Sequence, residues 1–361
     1  MGRLGKIEGK TVLAATGLGL LGRELFARSR EVDLRGQVVL ITGGSRGLGY
    51  LLAREFARQG CRLVICARDE RELERARADF ERRGAEILAI PCDIADREAV
   101  ERLVAEATTH FGRIDILVNN AGIIQVGPLQ SMTLGDFQAA MDVMYWGVVY
   151  PTLAVLPQMQ ARKSGRIVNI TSIGGKVSVP HLVPYSCAKF AAVGFSEGLR
   201  AELARGGIGV TTIVPGLMRT GSHLNAYAKG QQEGEFVRFA LAASLPLVSM
   251  DAERAARQIV EATRRGQAER ILSAPANLMA RFQGLFPGAT ADLLGLINRL
   301  LLPSTDGAGT AAARGMEIEQ RLQSPLFERI TGWGRSAARR FHEYPGPVGA
   351  AANGRTETTA R

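Results

Sequence analysis

Short apolar runs alternate with amphipathic stretches along most of the chain, beginning at Val38. The first run covers residues 38–41 and is rich in β-branched side chains, which is typical of a strand buried on both faces. Three spaced glycines follow it, and apolar residues then recur at helical spacing until Gly60. This pattern predicts a strand, a tight glycine turn and a helix.

The same strand-and-helix unit recurs further along the chain. Strand patterns cover residues 62–67, 86–91, 114–118, 165–170 and 209–214. Helical patterns cover 70–83, 97–111, a stretch from 134 to 150 and beyond, and a stretch that starts near 185. Strands that alternate with helices of this length form parallel sheets with right-handed crossovers. The sequence therefore predicts an α/β fold with a doubly wound parallel sheet, a Rossmann fold, followed by a helical C-terminal extension.

The first 35 residues form an arm that carries an apolar run over residues 11–22. This run is shorter than the ~20 residues that a membrane-spanning helix needs, and no small-x-small cleavage site follows it. Two interpretations stay open, namely a helix packed on the domain and a helix lying in a membrane interface.

A second apolar segment, residues 278–302, lies beyond the predicted Rossmann domain at 36–275. It is broken by Pro287-Gly288, and Thr290 is placed to cap a helix that leucines nearly encircle. Such a hairpin fits insertion into one face of a membrane, with docking on the domain or on a second subunit as alternatives. Residues 276–361 continue through an amphipathic helix around 316–333 to a polar tail from Pro345, which is expected to be disordered.

Composition narrows the class of protein. With 361 residues and 46% hydrophobic content the chain can bury a large core, and its net charge of +10 comes mainly from arginine. No basic run is interleaved with aromatic residues, so nucleic acid is not an expected partner. An anionic cofactor or an anionic membrane surface accounts for the excess charge.

Cysteine and histidine residues show no metal-binding pattern. The four cysteines and four histidines are scattered without the spacing of metal ligands, and three of the cysteines lie in or beside apolar strand patterns. No metal is therefore predicted. Buried free thiols indicate a reducing, cytoplasmic compartment.

The glycine turn is the first candidate binding site. A helix N-terminus directs free N–H groups and the positive end of its dipole at whatever lies over the turn, and glycines leave room for a phosphate. The sequence therefore predicts a dinucleotide here, bound by Gly43, Ser45, Arg46, Gly47, Leu48 and Gly49.

The tip of the second strand indicates which dinucleotide binds. An acidic residue at this tip would bind the free 2′-hydroxyl of NAD, but Ala67 and Arg68 occupy it. Arg46 and Arg68 match a 2′-phosphate in charge and fork geometry, which favours NADP. Solvated surface arginines are the alternative, because Asp69 follows directly. Asp93, after the third strand, is placed to accept a hydrogen bond from the adenine amino group.

A second set of candidates carries acid–base chemistry. Ser172 ends a predicted strand, Tyr185 follows 13 residues later, and Lys189 lies one helical turn beyond Tyr185 on the same face. A phenol with an ordinary pKa of ~10 needs its phenolate stabilised by roughly 4 kcal/mol to work at pH 7. A lysine cation and an oxidised nicotinamide both supply positive charge, and Ser172 is placed to hold the substrate oxygen against Tyr185.

Four motifs in this order resemble the short-chain dehydrogenase/reductase family over about residues 36–274. They are Thr42-Gly43-x-x-x-Gly47-x-Gly49, Asn119-Asn120-Ala121-Gly122, Ser172, and Tyr185-x-x-x-Lys189. The resemblance implies hydride transfer between NADP(H) and an alcohol or carbonyl compound, with a catalytic set of Ser172, Tyr185 and Lys189. It also implies cofactor contacts from Tyr185 and Lys189 and from Asn120, Ala121, Gly122, Pro215, Gly216 and Thr220.

One position departs from the family pattern. The family commonly places an asparagine three residues before the glycine of its fourth helix, where it holds a water that links the lysine to solvent. Here Met144 stands three residues before Gly147. Because a thioether cannot form the hydrogen bonds of an amide, a non-catalytic NADP-binding interaction protein on the same fold is the alternative to an enzyme.

The variable parts of the chain bear on the substrate and partners. Residues 174–184 and 217–250 are expected to form the walls and lid of the pocket, and their apolar side chains favour a lipophilic alcohol or carbonyl substrate. Packing of lid helices would use the same side chains. Relatives in the family usually pair through helices near the active site, which implies a homo-oligomer. Peripheral membrane contact through residues 11–22 and 278–302 is a further expected interaction.

Overall fold

The computed structural model of the chain describes residues 31–246, 248–302, 309–322 and 324–344. Within these residues the strands are β1 (Val38–Thr42), β2 (Arg62–Ala67), β3 (Ile87–Pro91), β4 (Ile116–Asn119), β5 (Gln125–Val126), β6 (Gly165–Ile170), β7 (Ile208–Val214), β8 (Met218–Arg219), β9 (Tyr227–Ala228), β10 (Met250–Asp251), β11 (Glu269–Ile271) and β12 (Ala313–Arg314).

The helices in the same residues are α1 (Gly47–Arg58), α2 (Glu70–Arg82), α3 (Arg97–Phe111), α4 (Leu134–Met141), α5 (Gly147–Ala161), α6 (Val183–Glu202), α7 (Gln232–Ser244), α8 (Ala252–Arg264), α9 (Ala274–Leu285), α10 (Pro287–Leu301), α11 (Gly315–Leu322), α12 (Pro325–Ile330) and α13 (Gly332–Arg340). A π turn joins α4 to α5 at Asp142–Trp146. Short 3-10 turns cover Leu129–Ser131, Ile173–Gly175, Leu203–Gly206 and Ser222–Asn225.

In the described part of the chain, seven strands form one sheet in the order β11-β7-β6-β4-β1-β2-β3, and all of its pairings are parallel. All five side chains of β1 are buried, because helices cover both faces of the sheet. The strand order reverses between β1 and β4, which leaves a crevice at the carboxyl ends of these strands. The predicted doubly wound α/β fold is confirmed.

Two hydrophobic layers fix this crevice. On one face of the sheet, Val39 of β1 packs in a cluster with Phe56 of α1 and Ile259 of α8. On the other face, Leu40 of β1 shares a cluster with Val155 of α5. Each fully buried side chain of this size contributes roughly 1.5–3 kcal/mol relative to an exposed one. The layers therefore hold the ends of β1 and β4 in fixed positions.

One continuous helical stretch in the described residues, Leu134–Ala161, is long and apolar enough by length and composition to cross a membrane. It consists of α4, the π turn and α5. Its α5 part packs against α3 and β4 of the sheet domain, and Pro151 and Thr152 are among its buried residues. The interior helix of an α/β domain has the same apolar character, so this stretch is accounted for by its packing.

The chain beyond the hairpin folds back on the domain. β12 pairs with β9, which also pairs with β5, and both α11 and α13 contact α7. The single helix predicted around residues 316–333 is wrong, because new helices begin at Pro325 and Gly332. A proline disfavours helical geometry in the residue before it and is well suited to the first turn of the next helix.

Thr290 does not cap a helix as predicted. Helix α10 begins at Pro287, and the Thr290 hydroxyl donates to the carbonyl of Phe286 one turn earlier at 2.9 Å. The boundary predicted between residues 275 and 276 falls inside α9. The apolar run at 11–22 and the tail from Pro345 lie outside the described residues, whereas Leu34 is buried against the sheet domain.

Candidate active site

The glycine turn between β1 and α1 lies in the crevice where the strand order reverses. Gly43 has a φ of +65°, and a Cβ there would lie 2.9 Å from the Cα of Ala121. At Gly49 the carbonyl oxygen of Gly43 fills the space that a Cβ would need. These two glycines are therefore required by the close packing of the turn against α1 and the end of β4.

Asn120 and Ala121 hold the turn in place. Their backbone N–H groups donate to Thr42 Oγ1 at 3.0 and 3.1 Å. The side-chain amide of Asn120 donates to the carbonyls of Thr42 and Gly43 at 3.0 and 3.2 Å. Both residues thus fasten the turn to the end of β4 and fix its orientation toward a ligand.

The predicted acid–base residues come together at the end of β6. Ser172 follows this strand, and α6 begins just before Tyr185, so that Lys189 lies one turn further along. The Nζ of Lys189 lies 5.8 Å from the centre of the Tyr185 ring and donates to the Ile170 carbonyl at 3.0 Å. The hydroxyl of Ser172 lies near enough to the phenol of Tyr185 to lower the pKa of that phenol. One side of the crevice therefore carries a hydroxyl, a phenol and an ammonium.

Two small residues allow this approach. A Cβ at Gly174 would lie 3.0 Å from the Tyr185 ring, and one at Gly175 would lie 2.6 Å from the carbonyl oxygen of Lys189. The 3-10 turn Ile173–Gly175 can therefore pack directly on α6. This turn also fixes Ser172, whose Oγ accepts from the Gly174 N–H at 3.0 Å.

Burial sets the protonation of these groups. Desolvation raises the pKa of Tyr185 above its ordinary value, and the Ser172 hydroxyl acts in the opposite direction. Burial lowers the pKa of Lys189 to about 8. The phenol is consequently protonated at neutral pH, as a group that donates a proton to a carbonyl oxygen must be.

Comparison with known proteins places the chain in a family. A family model described as short chain dehydrogenase matches residues 37–230. This chain belongs to the short-chain dehydrogenase family. It is an oxidoreductase of this family, and one of the solved structures that it resembles contains NADPH.

Individual relatives support the same assignment. A dehydrogenase/reductase SDR family protein 7-like of Anopheles gambiae is 43% identical over 220 residues, which is 59% of this chain and 69% of that protein. A solved short-chain dehydrogenase from Streptomyces avermitilis has a TM-score of 0.62 at 29% identity, covering 74% of this chain and 98% of that one. A solved variant of actinorhodin polyketide ketoreductase with NADPH has a TM-score of 0.59 at 29% identity, covering 67% of this chain and 97% of that one.

The turn of this short-chain dehydrogenase fits the phosphates of such a cofactor. Gly47 has a φ of +56°, and the space that a Cβ there would fill holds the carboxylate of Glu343. A space that admits a carboxylate oxygen also admits a phosphate oxygen, and the positive end of the α1 dipole favours either. Ser45 and Leu48 are buried beside it.

Arg46, predicted to bind the 2′-phosphate, lies between two carboxylates. Its Nε is 3.4 Å from Glu72 and 3.8 Å from Glu343. The hydroxyl of Ser45 also donates to Glu72 at 3.3 Å. In this structure the guanidinium of Arg46 is thus engaged by acidic side chains of the chain itself.

The other residues predicted for the adenosine end are exposed. Arg68 lies just past β2, and among the described residues no ion pair involves it. Asp69 caps α2, because its carboxylate accepts from the N–H of Glu72 at 2.9 Å. The carboxylate of Asp93 accepts from the N–H of Ala95 at 3.0 Å, within its own turn.

Met144 lies in the π turn between α4 and α5 and is buried. A Cβ at Gly122 would lie 3.7 Å from the Sδ of Met144 and 3.9 Å from the Nζ of Lys189. π turns inside α-helices recur at functional sites. The thioether therefore occupies the region beside the lysine where the family places an amide.

The segment after β7 lies against the serine turn. The carbonyl of Pro215 accepts from the N–H of Ile173 at 2.7 Å. A Cβ at Gly216 would lie 2.8 Å from Ser273 Oγ. Thr220 is buried, and its Oγ1 accepts from the N–H of Ser222 at 3.1 Å. The structure thus brings Pro215 beside the acid–base residues and places Thr220 inside the lid.

A network of buried polar side chains, which the sequence patterns did not predict, lies behind the site. The Nδ2 of Asn119 donates to the Oδ1 of Asn169 at 2.8 Å, and the Nδ2 of Asn169 donates to Ser196 Oγ at 2.9 Å. Ser196 Oγ is 2.7 Å from Thr212 Oγ1. This hydrogen-bond network links β4, β6, β7 and α6 and so fixes the helix that carries Tyr185. Polar residues at buried positions of otherwise apolar strands were the sequence signal that could have indicated this network.

Proposed function

We propose that this oxidoreductase transfers a hydride between NADP(H) and a lipophilic alcohol or carbonyl compound, with Tyr185 as the general acid and base. The observation that carries the proposal is the grouping of Ser172, Tyr185 and Lys189 at the carboxyl end of β6, next to the glycine turn. This grouping provides one donor to hold a substrate oxygen, one proton donor, and one cation to stabilise the phenolate that remains.

Each residue has a distinct part in carbonyl reduction. Ser172 donates a hydrogen bond to the carbonyl oxygen and orients it toward the phenol. Tyr185 gives its proton to that oxygen, and Lys189 stabilises the resulting phenolate. A reduced nicotinamide bound beside these residues would supply the hydride that the carbonyl carbon takes up. In alcohol oxidation the same groups act in reverse, with Tyr185 as the base.

Turnover of a substrate panel tests this function. Purified protein is incubated with NADPH and a series of ketones and aldehydes of increasing apolar size, and loss of nicotinamide absorbance is followed. Substrate-dependent oxidation by the wild type that falls by roughly 10²–10⁴ in Tyr185→Phe is expected. Tyr150→Phe, on α5 outside the site, is the matched control and should retain the wild-type rate.

NADP rather than NAD is supported by the adenosine end of the site. Arg68 stands exposed where an acidic residue would bind the 2′-hydroxyl, and the nearby Asp69 is committed to capping α2. Arg46 offers a second guanidinium at the turn. The ratio of kcat/KM for NADPH over NADH is expected to exceed one.

Met144 is the observation that favours a second candidate, a non-catalytic NADP-binding interaction protein. In the described part of the chain, the Lys189 ammonium donates to the carbonyl of Ile170, and a thioether replaces the family's amide at Met144. This candidate predicts tight NADPH binding by calorimetry without oxidation of NADPH by any member of the panel.

We also propose that the α9–α10 hairpin rests on an anionic membrane surface, from the cytoplasmic side. The two helices pack on each other and expose a set of large apolar side chains, namely Leu278, Met279, Phe282, Leu285, Phe286, Leu293, Leu296 and Leu300. Arg281 and Arg299 are exposed on the same helices and complement acidic headgroups. A lipophilic substrate would be concentrated at such a surface.

Vesicle co-sedimentation tests the hairpin. Binding to vesicles that contain phosphatidylserine should exceed binding to phosphatidylcholine vesicles, and Leu285→Glu should reduce it. Leu134→Glu, at an exposed apolar residue on α4, is the control that should bind as the wild type does. Absence of vesicle binding together with a dimer that Leu285→Glu dissociates would instead identify a second copy of the chain on this surface.

Exposed apolar residues on α5 and α6 support a homo-oligomer. Trp146 precedes α5, Leu153 lies on it, and Phe190 lies on α6, and all three are exposed. Apolar side chains of this size on neighbouring helices are typical of interfaces between subunits. Light scattering after size exclusion is expected to give a mass above that of one chain, which Phe190→Glu should lower.

A further inference from the structure

The last described segment of the chain lies across the glycine turn. This C-terminal strap, residues 332–344, consists of α13 and the four residues after it. The N–H of Gly47, the first in α1, donates to the carbonyl of Phe341 at 2.8 Å. The ring of His342 stacks on Tyr50 of α1 with 4.4 Å between ring centres. The strap therefore takes up a donor that the helix N-terminus would otherwise offer to a phosphate.

Glu343 places a carboxylate at the centre of this contact. The residue is only 6% exposed, and its Oε1 fills the space above Gly47. Its Oε2 lies 3.8 Å from Arg46 Nε and accepts from Asn225 Nδ2 at 2.7 Å. A buried carboxylate is costly unless it is paired and hydrogen-bonded. These specific partners show how the turn accommodates an anion.

The rest of the strap docks by apolar packing. Ala337, Ala338 and Phe341 are buried, and α13 contacts α7 and β8 of the lid. Gly221 has a φ of +93° and leaves the space that the backbone and side chain of Ala338 occupy. The carbonyl of Glu343 accepts from Asn225 at 3.1 Å, so the strap is tied both to the turn and to the lid.

We propose that the strap is an intramolecular competitor of the dinucleotide, with the Glu343 carboxylate standing where a pyrophosphate oxygen binds. This rests on the proposed function only in that NADP(H) binds at the glycine turn. In dinucleotide folds the second glycine of the turn lets the backbone approach the pyrophosphate, and here that glycine is Gly47. A carboxylate and a phosphate cannot share this space, and Arg46 cannot pair fully with both.

Cofactor binding then requires the end of the strap to leave the turn. Because Asn225 belongs to the 3-10 turn Ser222–Asn225 of the lid, the same movement removes a contact that holds the lid. When only a fraction of the protein is in the binding-competent state, the apparent Kd for the dinucleotide is raised by the inverse of that fraction. The docked strap thus inhibits cofactor binding.

NADPH binding by Glu343→Ala and Glu343→Gln tests this inhibition by the strap. Calorimetric Kd values are measured for both variants, for the wild type, and for Glu317→Ala, whose glutamate is exposed on α11. If the undocked state of the wild type is populated at roughly a tenth, Glu343→Ala should bind NADPH about tenfold more tightly. Glu343→Gln keeps the contact to Asn225 and removes the cost of burying a charge, so its strap should dock at least as firmly and its Kd should equal or exceed that of the wild type. Glu317→Ala should bind as the wild type does.

Hydrogen exchange of the wild-type protein gives a second readout that needs no variant. Saturating NADPH should remove the protection of the backbone N–H of Glu343, which donates to the Ala338 carbonyl at 3.0 Å in the docked strap. Unchanged or weaker NADPH binding by Glu343→Ala, tighter binding by Glu343→Gln than by Glu343→Ala, or a strap that stays protected with NADPH bound, overturns the proposal. Failure of the wild type and both variants to bind any dinucleotide overturns the proposed cofactor site as well.

Discussion

Docking of the C-terminal strap should weaken as the pH rises through neutrality. Burial raises the pKa of Glu343 from 4.5 to about 7, with Arg46 and Asn225 acting in the opposite direction and Glu72 adding to the rise. Once the strap undocks, the carboxyl is solvated and titrates near its ordinary value. Between these two values the docked strap binds more protons than the undocked one, so its stability is complete at low pH and is lost as pH rises toward and past 7.

The size of this effect follows from the two pKa values. A shift of one unit corresponds to ~1.36 kcal/mol, so docking should lose about 2–3 kcal/mol between pH 5 and pH 8. His342 on the same strap acts in the opposite sense. Burial lowers its pKa below 6.5, so the undocked strap binds more protons at this residue and docking weakens as pH falls below 6.5. Subtracting the profile of Glu343→Gln from that of the wild type isolates the glutamate.

Hydrogen exchange of the Gly47 amide measures the docking equilibrium, since its acceptor is the Phe341 carbonyl on the strap. Its protection factor, corrected for the intrinsic pH dependence of exchange, should fall from pH 5 to pH 8 by roughly 30- to 150-fold more in the wild type than in Glu343→Gln. The variant should lack that part of the fall. Equal profiles for the two proteins, or protection that increases with pH only in the wild type, would refute the assignment of a raised pKa to a docked Glu343.

Three further changes test other parts of the site. Arg68→Asp should lower kcat/KM with NADPH by roughly tenfold or more while sparing NADH, because a charge-assisted contact to phosphate contributes about 1.5–3 kcal/mol; an unchanged NADPH/NADH ratio would contradict the role of Arg68. Met144→Asn should raise kcat without changing the Kd for NADPH, because it places an amide beside Lys189. Stopped-flow oxidation of NADPH measures this change in rate. Gly49→Ala should lower the free energy of unfolding in urea by more than about 2 kcal/mol, because its Cβ collides with a backbone carbonyl; an unfolding curve like that of the wild type would show that the turn is not packed as described.

Local patterns in the sequence were sufficient for the sheet and most of the acid–base site. The apolar run that became β1 and the helical spacing between Tyr185 and Lys189 depend only on neighbouring residues, and parallel sheets bring the ends of such strands to one edge. The doubly wound fold and the grouping of Tyr185 with Ser172 followed from those patterns. Their catalytic roles stay a prediction that turnover must test.

Contacts between residues far apart in sequence could not be predicted. Nothing around Glu343 carries a periodic pattern that points to Gly47, and the two meet only because α13 packs on the lid. The same holds for Lys229, which donates to Asp136 at 2.6 Å in a buried pair. Arg46 shows the consequence, because its residue type favours a phosphate while the folded chain supplies it with Glu72 and Glu343.

Transfer of label from reduced cofactor to product tests the central claim most directly. The protein is given NADPH deuterated at the reactive nicotinamide carbon together with a lipophilic ketone, and the alcohol is analysed by mass spectrometry. The wild type should place one deuterium on the carbinol carbon, and Tyr185→Phe, assayed with saturating NADPH, should form little or none of this product. An unlabelled product, or equal labelling by Tyr185→Phe, would contradict hydride transfer assisted by this tyrosine.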